Sequence, residues 1–214
     1  MFAREYYSAD AAFKELYSYI NSLEVSPNGT KKLYNVSLLI KHPLINHITH
    51  KFRGWNSKYA EREWKWYLSG NRSVEQIKKF APIWDKMHNG DNLVNSNYGY
   101  QWNRNSQLKH VLMQLSSNPN SRQAFITIFD GKEKSEYEFD TPCTNTIGFV
   151  VEHNKLCMTV NMRSNDLWFG FCNDQYCFSK LQQMVATVLQ LECGWYHHHA
   201  TDMHLYEQHF DMLK

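Results

Sequence analysis

Several broad classes are excluded by what this sequence lacks. Among its 214 residues there are only five cysteines, an odd number, and no Cys-x-x-Cys pair occurs among Cys143, Cys157, Cys172, Cys177 and Cys193. A disulfide scaffold or a zinc ribbon is therefore not expected, and five free thiols fit a reducing cytoplasm, the host's if the chain is viral. The formal charge is only +2, which gives no strong pull toward nucleic acid or an acidic membrane surface. The longest apolar runs, such as Val36 to Ile40, are far too short to cross a bilayer. The N-terminal residues carry no basic segment followed by an apolar core, so no secretion leader is expected. The glycine-rich phosphate loops G-x-x-x-x-G-K-[ST] and G-x-G-x-x-G are missing, as are internal repeats and low-complexity linkers.

What is present describes a folded domain. Hydrophobic residues make up 43% and charged residues 21%, the balance of an ordinary globular protein. The length is that of one domain, taken as residues 1–214. Aromatics reach 15%, enough for a large core or for recognition of flat rings. Periodicity predicts a helix from Asp10, read as its N-cap, another over 56–68 ended by Gly70, a third over 107–115 stopped by Asn118-Pro119, and a long buried one over 175–191. Strands are expected over 33–40, 124–129, 147–151 and 156–162, the last two joined at His153-Asn154. Helices and strands without regular βαβ alternation indicate an α+β fold.

Two features invite chemistry. His197-His198-His199, with His204 and His209 nearby, suggests a metal. Successive strand residues face opposite sides, however, so three in a row cannot converge on one ion, and no metal is expected. A mixed surface-and-core histidine cluster is the simpler reading. Cys143 sits among hydroxyl and amide side chains in Asp140-Thr141-Pro142-Cys143-Thr144-Asn145-Thr146, just before a strand. A thiol at such a boundary, with arginines available, can be held as a nucleophilic thiolate; otherwise it is a half-buried strand-start cysteine.

From Cys143 outward the sequence resembles the thymidylate synthase superfamily. The segments that carry the resemblance run in order from about residue 56 to residue 210. They are Arg62 to Gly70, Ile83-Trp84-Asp85, Asn95 to Trp102, Asn118 to Arg122, Cys143, Asn161 to Asp166, and His204-Leu205-Tyr206. Within the superfamily it is most similar to the phage deoxycytidylate hydroxymethylases, through Asn95 to Gly99, Cys143 to Thr146 and Asn161 to Asp174. It departs from the usual pattern at Thr144, where thymidylate synthases carry histidine, and at Gln123, where a second arginine normally follows Arg122.

The resemblance implies a central mixed β-sheet flanked by helices, with one sheet face used for dimerisation. It implies one-carbon transfer from 5,10-methylenetetrahydrofolate to carbon 5 of dCMP, with water giving a hydroxymethyl product. dUMP hydroxymethylation, a methylase of the thymidylate synthase type, and an inactive nucleotide-binding relative are the alternatives. A histidine-metal hydrolase is a further alternative, from another class. The implied catalytic residues are Cys143, the nucleophile toward carbon 6, Glu63, Tyr98 and Asp174. Arg163, Ser164, Asn173, Asp174, His204 and Tyr206 would bind the nucleotide, with Arg122 reaching the phosphate from the other subunit of a homodimer. Trp84 and Asp166 would bind the folate. Asp174 is placed as the reader of the base, with Asn173 the competing candidate one residue earlier. No nucleic acid or membrane partner is implied.

Overall fold

The computed structural model describes residues 2–88, 90–131, 137 and 139–213. Seven strands form one mixed sheet. They are β1 (Phe2–Tyr6), β2 (Thr30–Ile40), β3 (Phe125–Thr127), β4 (Thr144–Glu152), β5 (Lys155–Met162), β6 (Asn165–Asp166) and β7 (Glu192–Tyr206). Their order is β1-β2-β7-β5-β4-β3, with β6 paired to β7. β1 lies parallel to β2, and β7 is parallel to both β5 and β6; the other pairs are antiparallel. The helices are α1 (Ala9–Asn21), α2 (Ser57–Ser69), α3 (Tyr98–Asn103), α4 (Gln107–Ser117) and α5 (Cys172–Leu189).

The expected α+β class and mixed sheet are observed. β4 and β5 pair as expected across His153-Asn154, whose φ angles of +49° and +59° suit a tight hairpin turn. Asn56 caps α2 through its side chain, and Gly70 ends it in the left-handed region. α1 differs from its expected start. Ser8 is the N-cap, and the Asp10 carboxylate instead binds the backbone N–H and hydroxyl of Thr49 at 2.7 and 2.8 Å, tying the 46–53 loop to the helix. α5 begins three residues before its expected start, after a π-helical turn at Leu167–Phe171. That early start puts Asp174 into its first turn.

One sheet face is buried by helices. Leu38, Ile40, Met158, Val160, Tyr196 and His198 point into this core and are fully covered. The alternate residues Leu39, Ser37, Thr159, Asn161, His197 and His199 lie on the other face and are half-buried. Among them, His197 is in register with Leu39 and Thr159, and His199 with Ser37 and Asn161. The triple histidine is thus split between faces, with His198 inside. α3 packs so closely on α2 that a Cβ at Gly99 would fall 1.5 Å from the Tyr67 carbonyl oxygen. Glycine at this position lets Tyr98 approach the centre of the molecule.

Candidate active site

Cys143 ends the loop that enters β4. Its carbonyl accepts from the Arg163 N–H at 2.8 Å, so the thiol is fixed beside the end of β5. The Arg163 guanidinium folds back over the loop. Nε donates to Pro142 O at 3.1 Å, and Nη2 donates to Thr141 O at 2.8 Å and lies 3.7 Å from Cys143 Sγ. A cation at that distance favours a thiolate, but burial outweighs it and pushes the thiol up to about 11. Of the two readings of this cysteine, a standing thiolate is therefore not the resting form. Alkylation of Cys143 by iodoacetamide, followed by peptide mass, should accelerate about tenfold per pH unit between about pH 8 and pH 10. A rate that levels off below pH 9 would show that Arg163 dominates after all.

Asp174 lies close enough to influence Cys143, and Glu63 lies close to Asp174. Glu63, on the buried side of α2, is pushed up to about 8, by desolvation first and by the nearby Asp174 second. Asp174 is pushed up to about 7, chiefly by desolvation, against a hydrogen bond from Asn165 that favours its ionised form. Both groups therefore hold protons far above the ordinary carboxylate range, as acid–base groups do. Glu63 Oε1 accepts from the Tyr59 hydroxyl at 2.9 Å, and Tyr59 accepts from Trp84 Nε1 at 2.9 Å. Trp84 is thereby joined to Glu63 while its ring packs edge-on against Trp66 at 4.9 Å.

Tyr98 is buried, stacked on Phe178 at 5.6 Å, and interacts with Thr144, Cys143 and Asp174. Burial raises its phenol well above 10, so it stays protonated. Asp140 holds the Tyr98 segment to the Cys143 loop. Its two oxygens accept from the Ser96 N–H and hydroxyl, each at 2.6 Å, and its carbonyl accepts from Asn95 Nδ2 at 3.1 Å.

Asp166 caps the π-helical turn, accepting from the N–H groups of Trp168, Phe169 and Gly170 at 3.0, 2.8 and 3.4 Å. It is close enough to influence Cys143, Asp174 and Tyr206. Tyr206 is exposed, and its ring meets His204 edge-on at 5.1 Å. His204 Nδ1 lies 3.1 Å from Asp202. Ser164 is half-buried between Arg163 and β6. Arg122 stands exposed after α4, with no partner among the described residues. Asn173 does not join the cluster: its Oδ1 accepts from Trp55 Nε1 at 2.9 Å. Tyr59, Asp140, Asn165 and Tyr196 carry no motif that marks them as site residues in the sequence, and His198 stands out only within a histidine run; their polar partners in the folded chain mark them. Among the described residues no group of three or more His, Cys, Asp or Glu is placed to hold a metal.

The cluster can do covalent and proton-transfer chemistry on a flat ring, and comparison with known proteins places it. The thymidylate synthase family profile matches residues 28–214. The chain belongs to the thymidylate synthase family. A thymidylate synthase of Bacillus atrophaeus is 30% identical over 176 residues, covering 78% of this chain and 77% of the relative. The deoxycytidylate 5-hydroxymethyltransferase of Enterobacteria phage T4 is 29% identical over 207 residues, covering 88% of this chain and 81% of that one. The structure of the thermostable thymidylate synthase A from Bacillus subtilis superposes with a TM-score of 0.76 at 23% identity, over 95% of this chain and 82% of that chain. The protein is thus a one-carbon transferase of the thymidylate synthase type, a family that takes a pyrimidine nucleotide substrate and a methylenetetrahydrofolate co-substrate. No helix among the described residues is long and apolar enough to cross a membrane.

Proposed function

We propose that this enzyme hydroxymethylates carbon 5 of dCMP. The observation that carries this reading is Asp174. An acid, not an amide, is coupled to Glu63, Tyr98 and Cys143, and burial lets it keep a proton near neutral pH. Such a carboxyl can accept from the cytosine amino group and share a proton with N3. Asn173, the residue that would favour uracil, is engaged by Trp55. The likeness to the phage T4 hydroxymethyltransferase supports the same substrate.

In this mechanism the Cys143 thiolate adds to carbon 6, which turns carbon 5 into a nucleophile. The thiol proton has to leave as the bond forms, because the free thiol is high. Arg163, exposed and adjacent, binds the phosphate and offsets the charge on sulfur. Ser164 assists at the phosphate, and His204 and Tyr206 hold the sugar. The folate, when bound, supplies the one-carbon unit. The residues present fit it: Trp84 offers a half-buried ring, and Asp166 keeps an acceptor site on Oδ1 beyond the three N–H groups it already meets. Glu63 manages protons at the reacting carbons. Tyr98, held as a phenol, orients the water that removes the carbon 5 proton. Loss of that proton with cleavage of the transferred carbon's bond to the folate nitrogen, which leaves with the electron pair, gives an exocyclic methylene on the ring; water adds to this carbon, and elimination of Cys143 frees the product.

The half-buried sheet face around His197 and His199 is proposed as the homodimer interface, with Arg122 serving the neighbouring site across it. Residues 1–214 act as a single catalytic domain in this reading. Incubation with dCMP or dUMP and methylenetetrahydrofolate, with products identified by mass, is the test. Hydroxymethyl-dCMP without dihydrofolate is expected. Dihydrofolate formed in step with product would show hydride transfer and methylation instead, and tight nucleotide binding without turnover would indicate an inactive relative.

A further inference from the structure

The buried face of β7 carries polar groups for which the reaction has no direct use. Tyr196 and His198 are fully buried and, two residues apart, share one face of the strand. The Tyr196 hydroxyl lies 2.7 Å from His198 Nδ1, and His198 Nε2 lies 3.0 Å from Asn165 Oδ1. Asn165, buried on β6, donates from Nδ2 to Asp174 Oδ2 at 2.8 Å. The π-helical turn comes close to this pair. A Cβ at Gly170 would sit 2.8 Å from Asn165 Nδ2 and 3.5 Å from Asp174 Oδ2, so only glycine leaves the amide its place.

The chain of bonds has one consistent direction. Burial pushes the His198 imidazole down to about 3, so it is neutral and carries one N–H. Asn165 gives its amide N–H to the carboxylate, so its oxygen has to accept, and the histidine proton sits on Nε2. Nδ1 is then a lone pair, and the tyrosine O–H donates to it. Three donors point toward Asp174, and Oδ2 always meets one. A proton on this carboxyl is thereby confined to Oδ1.

We propose that Tyr196, His198 and Asn165 form a positioning relay that fixes which oxygen of Asp174 bears the proton, and so decides which pyrimidine edge the site accepts. Cytosine presents an amino donor beside an N3 acceptor; uracil presents an O4 acceptor beside an N3–H donor. A protonated carboxyl offers one acceptor and one donor. Exchanging the two oxygens converts the complement of one base into the complement of the other. A carboxyl free to place its proton on either oxygen would suit both bases; a pinned one suits a single base. The proposal rests on the reading of Asp174 as the group that meets the base. The three relay residues act through Asp174 and touch no substrate.

The test is the ratio of kcat/KM for dCMP and dUMP in the wild type and in Asn165→Ala, His198→Phe and Tyr196→Phe. Where turnover is undetectable, the ratio of dissociation constants serves. A wild-type preference of about 10⁴-fold should collapse to within about tenfold of unity in Asn165→Ala and His198→Phe, with the disfavoured nucleotide gaining as the favoured one loses. Tyr196→Phe keeps the packing, loses one donor, and should move the ratio the same way by about tenfold. Mere structural damage lowers both values in proportion. A ratio unchanged within about threefold in all three variants would overturn the relay. The wild-type ratio separately tests the substrate reading. A wild type that prefers dUMP refutes dCMP as substrate, yet loss of that preference in the variants would still establish the relay.

Discussion

Cys143→Ala should lower nucleotide turnover by at least about 10⁴-fold while leaving a folded protein that still binds nucleotide. The thiol is half-buried at a loop end and makes no strong hydrogen bond, so its loss removes little packing; the nearest donor, Arg163 Nη2, is 3.7 Å away. Arg163 keeps its bonds to Pro142 O and Thr141 O in the variant, which preserves the side proposed to bind the phosphate. Unchanged circular dichroism with lost turnover is the expected pair of results. Full activity in the variant would refute covalent catalysis. The same variant tests the shared site. Mixed with an inactive Arg122→Ala protein, it should regain partial activity, because one hybrid site then holds both an intact Cys143 and an intact Arg122. No recovery after demonstrated subunit exchange would mean that each site is built from one chain.

Asp174→Asn should shift preference from dCMP toward dUMP, by about 10⁴-fold in the ratio of kcat/KM. An amide donates to uracil O4 and accepts from N3–H when the Asn165, His198 and Tyr196 hydrogen bonds run in the reverse direction, which an amide at 174 permits and a carboxylate, needing the Asn165 N–H as donor, does not. The pH dependence has a definite sign. Asp174 is raised to about 7, so its shared proton is present below that value and lost above it. The wild type's kcat/KM for dCMP should therefore decline as pH rises past about 7, and that decline should vanish for dUMP in Asp174→Asn. A wild type that uses dUMP far faster than dCMP would remove the basis of the assignment, and Asn173→Asp would then be the informative variant.

The sequence by itself determined the local signals and the chemical inventory. Asn56 and Gly70 bound α2 because a side-chain cap and a left-handed residue are local requirements that the residue types reveal. The His153-Asn154 hairpin was legible for the same reason. The ordered motifs around Glu63, Tyr98, Cys143, Arg163 and Asp166 pointed to the family that the profile match established. Tertiary structure decided the rest. Ser8, not Asp10, caps α1, because Asp10 is drawn away by Thr49, a residue 39 positions on. α5 starts early because burial, not the weak helix propensity of Cys172-Asn173-Asp174, governs its first turn. That same turn separates two adjacent candidates, turning Asn173 to Trp55 and Asp174 to Asn165. The state of the thiol was also beyond the sequence. An arginine nearby was foreseeable, but the competition between its charge and desolvation depends on how deeply Sγ lies. His198 shows the difference most plainly. Strand alternation alone placed it opposite His197 and His199, but only the pairing of β6 with β7 brought Asn165 to its ring, and through Asn165 linked it to Asp174.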